Sequence, residues 1–249
     1  MSATELVKGF QIRLDRISRV KTKEWWERSL KGAIEFRGVN VSEIQEELES
    51  WYERKNLDQM DPEFQLKVAL SFFKGGYAED KLAGMLLFED YLIPRGELPY
   101  AKLLPEFEKL FDKKQISDCS ICDWFCTRVL NTLIQKDGNA CARGIANWHT
   151  AENLWRARAS LVSFVHSVDR PEYRDLILIS SSTLIKRDER FAKTGVGWIL
   201  REMSKLDMTP VIDFIEAHLE WFSTESLDNA MKNMDFETMT RLKTLHENA

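Results

Sequence analysis

Asp123 is the first residue of this 249-residue chain that poses a chemical question. Cys119, Cys122, Cys126, Leu130 and Leu133 recur at helical spacing and form an apolar stripe, and Asp123 projects into it, flanked by Leu130 and Ile134. An ionised carboxylate buried there without a partner costs several kcal/mol, so it must meet positive charge or do work. Arg158 repeats the anomaly with the opposite sign. Leu154, Leu161 and Val165 set the stripe of its helix, Arg158 falls between Val162 and Val165, and Arg156 points away to solvent. The two charges either pair with each other or line a cleft, the carboxylate facing a cation and the guanidinium an anion such as phosphate. Trp198 and Arg201 share a flank of a third helix, away from the stripe of Ala192, Ile199 and Met203. A Trp beside an Arg off the stripe is either a stacking surface or a packing knob between helices.

The elements that must position these residues are helices. Apolar residues recur at three- and four-residue spacing almost throughout, and hardly any stretch alternates with period two. The pattern predicts helices near 3–18, 23–36, 42–55, 62–74, 77–91, 100–112, 119–136, 138–148, 152–167, 171–186, 189–205, 209–222 and 225–247, the last broken. Pro62, Pro171 and Pro210 sit at first turns, and Pro94 and Pro99 bracket a loop over 92–99. Many short helices with short connections favour an α-solenoid, an α-α superhelix of HEAT-like antiparallel pairs forming a single domain over 1–249, with a possible subdivision at 92–99. A faint repeat agrees: Trp155-x-x-Arg158 and Trp198-x-x-Arg201 lie 43 residues apart, within the ~40–47 of a HEAT or armadillo unit.

Composition narrows the classes. Hydrophobic residues at 44% and charged residues at 30% are ordinary for a globular chain, and Gly 11 with Pro 6 is too few for a turn-rich β-sandwich. No apolar run approaches the ~18 residues of a membrane span, and MSATELVKGF lacks the apolar stretch of a signal peptide, so an intracellular protein of cytoplasm or nucleus is expected. The net charge of −5 argues against uniform coating of nucleic acid. Yet Arg143 to Lys205 holds eleven Lys and Arg against seven acids, a local basic segment that Arg190 and Lys193 join. This is either a face for a polyanion or a solvated helix surface. The four Cys read as free, mostly core thiols rather than a metal site, and the four His show no paired spacing. Trp25, Trp26, Trp124, Trp148 and Trp155 read as core aromatics. No phosphate-cradling glycine motif and no H-E-x-x-H occurs, so neither a metal nor a cofactor is expected.

Four segments carry a resemblance: SLKGAIEFRGV with its F-x-G-V turn, SDCSICDWFCTRVL, ENLWRARASLVSF and KTGVGWILREMSK, of which G-W-x-L-R-E is the most specific. Their types and order, over roughly residues 25–205, resemble the DNA alkylation repair glycosylases of the AlkC/AlkD type. The resemblance implies a concave basic surface of HEAT-like repeats that holds duplex DNA as a monomer. It implies hydrolysis of the N-glycosidic bond of cationic N-alkylated purines such as 3-methyladenine and 7-methylguanine, without a deep base-flipping pocket. Asp123 matches the family's active-site carboxylate, stabilising an oxocarbenium-like sugar and positioning water. Trp198 matches an aromatic against the damaged nucleotide. Arg158 and Arg201 match arginines that hold phosphates or support the acid, with Arg156, Arg190 and Lys193 completing the basic face. Cys119 and Ser29 stand where members commonly carry Trp and Tyr, and Trp124 or Trp26 could supply that aromatic surface. A DNA-binding module without excision and a protein-interaction scaffold are the alternatives.

Overall fold

A computed structural model describes residues 2–30 and 34–248, which form an all-α fold without strands among the described residues. The helices are α1 Ala3–Ile17, α2 Val20–Ser29, α3 Val41–Arg54, α4 Pro62–Phe72, α5 Ala78–Leu86, a one-turn α6 Ile93–Arg95, α7 Tyr100–Asp112 and α8 Cys119–Phe125. They continue as α9 Asn131–Ala146, α10 Leu154–Val162, α11 Arg174–Leu184, α12 Arg190–Ser204, α13 Thr209–Ala217, α14 Thr224–Ala230 and α15 Phe236–Glu247. The expected helix over 23–36 ends at Ser29, and part of its remainder, with part of SLKGAIEFRGV, lies outside the described residues.

Side-chain caps explain where many helices start. Ser2 and Glu5 form a capping box on α1, as Asn40 and Glu43 do on α3. Asp61, Asp118, Asn153 and Asp235 each accept a backbone N–H from the first turn of α4, α8, α10 and α15. Two joints depart from the expected boundaries. Leu87–Leu92 is a π-helical segment that carries α5 straight into α6, so the chain is helical to Arg95 and only the end of the expected 92–99 loop remains. The Ile93 N–H reaches back five residues to Phe88 O, so Pro94, which has no N–H, enters where the ladder is already widened. A second π segment, Cys126–Leu130, splits the expected 119–136 helix just after Asp123.

The chain divides into two compact units, Met1–Lys136 and Asp137–Ala249. The boundary falls beside Gly138, whose φ of 68° and ψ of −150° interrupt α9 in a conformation essentially confined to glycine. In the first unit Phe73, Phe88, Phe107, Phe111 and Phe125 pack edge to face or, for Phe73 and Phe88, tilted at 48°, with ring centroids 5.0–6.5 Å apart. Phe10, Trp51 and Phe72 form a second cluster. α5, buried along its whole length, packs against α3, α4 and α8. In the second unit α12 packs against α10, α11, α13 and α14. Gly197 sets the α12–α14 approach, since a Cβ there would stand 2.5 Å from Ser226 O. Gly197→Ala must therefore push α14 away, and a loss of about 1–3 kcal/mol in chemical denaturation is expected.

Candidate functional site

Asp123 sits in the second turn of α8, whose start is fixed by Asp118 accepting the Ile121 N–H at 3.0 Å. Its side chain is half-buried, and its Oδ2 accepts a hydrogen bond from the Cys119 thiol at 3.4 Å. Cys122, Cys126 and Leu130 are fully buried, whereas Cys119 and Asp123 are not. The carboxylate therefore lies at the edge of the stripe rather than within it. The physical reason is the π segment: the wider turn over 126–130 rotates the following helix, so Leu130 and Ile134 do not flank Asp123 as a uniform 100° wheel requires.

Asp118 is a second carboxylate the motif reading passed over. Burial pushes its carboxyl up from the usual range, backbone N–H groups of Ile121 and Ser120 and the Lys81 ammonium pull it down, and the charge of Asp123 adds to the rise. Lys81 is buried, donates to Phe73 O at 2.8 Å, and is lowered by that burial against the pull of Asp118 and Asp80. A raised folded-state value means the folded protein holds this proton more tightly, so the ionised form costs stability above the folded value, and that cost is gone below the unfolded one. Asn keeps the cap and removes the charge. Asp118→Asn is expected to match or exceed wild-type stability at neutral pH, with any gain vanishing below about pH 4, while Asp118→Ala loses about 1 kcal/mol. Thermal melts across pH read both.

The aromatic lining of this unit is partly surface. Trp25 is 56% exposed, a correction to its reading as a core residue: no residue of α2 is buried, and the helix is too polar to sink both indoles. Trp26 is half-buried, stacked 5.5 Å from Phe36 and edge-on to Trp124 at 5.9 Å, and Trp25 meets Trp26 edge-on at 4.8 Å. Both aromatics considered as replacements at Cys119 and Ser29 thus belong to one cluster that includes the residue next to Asp123. Ser29 is exposed and donates to Trp25 O at 2.8 Å. Trp148 is buried, and Trp155 is half-buried with its ring 5.2 Å from Phe191.

The remaining candidates stand in the second unit. Arg158, 3% exposed on α10, donates through Nη1 to Phe191 O at 2.6 Å and to Thr194 Oγ1 at 3.3 Å. Gly195 makes room for it, since a Cβ there would come 3.0 Å from that nitrogen. Arg156 is half-buried with an enclosed Nε rather than turned out to solvent, because α10 is short and packed along both flanks. Trp198 and Arg201 are half-buried on the flank of α12 while Ala192, Ile199 and Met203 are buried, as the wheel separates them. Arg201 donates to Glu202 Oε1 at 3.1 and 2.9 Å and to Asn229 Oδ1 at 3.0 Å. Burial raises the Glu202 carboxyl, but hydrogen bonds from Lys205 and Arg201 outweigh it and hold the group below its ordinary value. Arg190 makes a two-pronged pair with Glu225 at 2.7 Å, and Lys193 donates to Trp221 O at 2.6 Å. The basic segment is thus held in place by protein acceptors, and a phosphate reaching Arg190, Arg201 or Lys193 competes with them.

The family model described as DNA alkylation repair enzyme matches residues 10–234. A solved structure titled "Predicted DNA alkylation repair enzyme from Enterococcus faecalis" superposes with a TM-score of 0.75 at 15% identity, covering 88% of this chain and 97% of that one. That likeness places the fold among α-α superhelices. No curated protein matches the chain. No helix among the described residues is long and apolar enough to cross a membrane.

Proposed function

The chain belongs to the DNA alkylation repair enzyme family, and from that membership we propose that it excises cationic N-alkylated purines from duplex DNA by hydrolysing the N-glycosidic bond. What supports the reading most is Asp123, a half-buried carboxylate at the edge of α8 with the Cys119 thiol on one oxygen. It lies within both the family match and SDCSICDWFCTRVL, the segment where the resemblance implies the active-site acid. An N-alkylated purine carries positive charge and leaves without much help from a general acid. The group such a reaction needs is an anion that stabilises the developing sugar cation and orients the attacking water, and one carboxylate supplies both.

The other residues take roles that suit their settings. The Arg158 guanidinium, fixed by Phe191 O and Thr194 Oγ1, is a stationary positive charge for a phosphate. Trp198 presents a ring beside Gly197 for contact with the damaged nucleotide. Arg201, Arg190, Lys193 and Arg156 hold the DNA backbone, exchanging protein acceptors for phosphate oxygens. The protein acts as a monomer inside the cell, needing neither metal nor cofactor. Incubation of methylated duplex DNA with the protein, followed by chromatography of free bases, tests this: 3-methyladenine or 7-methylguanine is released if the proposal holds, and the DNA stays intact if it does not.

A further inference from the structure

Away from Asp123, the parallel helices α4 and α7 enclose a groove of about 190 Å³ between them. An ion pair between Glu63 and Lys102 joins them at one end. The groove then runs past Lys67, Ser71 and Lys74 on one side and Lys109, Lys113 and Gln115 on the other. Leu70 and Leu110 also line it, and Glu106 is its sole acid, already accepting from Lys109 at 2.6 Å. Among the described residues, Lys67, Lys74 and Lys113 make no ion pair and their ammonium groups meet no carbonyl. An excess of four lysines over one acid in the groove stands out in a chain of net charge −5. Lysines near helix C-termini are ordinary, which covers Lys74 and Lys113. It does not cover Lys67, midway along α4, or the convergence of both helices on one groove.

We propose that this groove is a second anion site, which seats the phosphates of a single nucleic-acid strand. Lys67 lies within α4 and Lys74 just past its end, seven residues on, about 10 Å at ~1.5 Å per residue, a span wide enough for more than one phosphate of a strand. Lysine ammonium groups act as point charges that grip phosphate without demanding a fixed approach, and Gln115 adds a neutral donor of the kind that positions a backbone. The groove opens on the side of α7 away from Phe107 and Phe111, the rings that pack against Phe125 of α8, so it is a site separate from the carboxylate. A strand held here is a second grip on nucleic acid. The choice of a nucleic acid as the source of phosphate rests on the excision reading above; the anion site itself does not.

Lysine acylation of the full chain, mapped by mass spectrometry at about 50 mM salt with and without an oligothymidylate, tests the site. Protection of Lys67, Lys74 and Lys113 by several-fold, with Lys21 and Lys232 reacting as before, is the expected result. The triple variant K67E/K74E/K113E should bind the oligonucleotide more weakly, with a salt slope smaller by about two for three lost contacts at ~0.7 each. Unchanged acylation overturns the proposal. Equal protection by polyglutamate or by inorganic phosphate alone overturns the assignment to a nucleic-acid strand. Base release from methylated duplex by the wild-type protein keeps the two readings apart. Release without protection removes only the groove, and protection without release removes only the excision reading.

Discussion

Asp123→Asn should abolish most base release while leaving the fold and the grip on DNA in place. Asn fills the same volume and still offers an oxygen to the Cys119 thiol, so what is removed is the charge. Loss of one preorganised electrostatic group typically lowers a rate by ~10²–10³, about 2.7–4 kcal/mol, and the deficit should appear in the single-turnover rate rather than in affinity. Wild type and variant are compared on methylated duplex under single-turnover conditions, with a gel shift for binding. Equal rates would remove Asp123 from the chemistry. No release by either, with DNA bound, would leave a DNA-binding member of the family that does not excise, and no binding at all would leave a scaffold.

Breaking the Arg37–Asp80 pair should produce the largest loss of stability in the chain. Asp80 has 0% of its side chain exposed and Arg37 9%, and the guanidinium reaches both carboxylate oxygens at 3.0 and 3.1 Å. Asp15 also pairs with Arg37, and the guanidinium lies 4.3 Å from the centroid of the Tyr77 ring. Beside it, buried Glu79 accepts the N–H groups of Arg37, Gly38 and Val39 at 2.8–3.1 Å. Gly38 alone can close this turn, since its φ is 102° and a Cβ would stand 2.2 Å from Arg19 O. Removing one member of a buried pair strands the other charge, so Arg37→Ala or Asp80→Asn should cost about 3–5 kcal/mol, a large part of the ~5–15 kcal/mol of a typical domain. Paired apolar replacement at both positions should recover most of it. Denaturation midpoints of the two single variants and the double variant test this cycle, and a single variant within about 0.5 kcal/mol of wild type would contradict it.

Much of this was legible in the residues because helices announce themselves locally. Pro62 marks a helix start to the residue, the helix expected from 152 begins at Leu154, and the break expected in 225–247 falls between α14 and α15. The off-stripe placement of Trp198 and Arg201 needed only the period of a regular helix. What stayed hidden depends on irregular turns or distant partners. A π turn has no signature in apolar spacing, so the burial of Asp123 was overestimated. Arg156 was read outward because a wheel knows nothing of neighbouring helices. Glu79 and Asp80 look like ordinary first-turn acids of α5, and only the chain some forty residues earlier turns them into the anchors of the F-x-G-V turn. Asp118 stands just before the helix expected from 119, but its burial leaves no mark in the spacing.

The π turn after Phe125 bears on ancestry as well as geometry. Such a turn is what an α-helix becomes when one codon is inserted and the flanking ladder stays in place. An insertion of this kind leaves no loop for an alignment to open a gap in. Matching this chain to a relative that lacks it slides everything from Cys126 onward by one position until the next connection restores the count. Asp123 lies before such a slide, whereas an equivalence drawn across Cys126–Leu130 to a relative without the turn would name the neighbour of the residue intended.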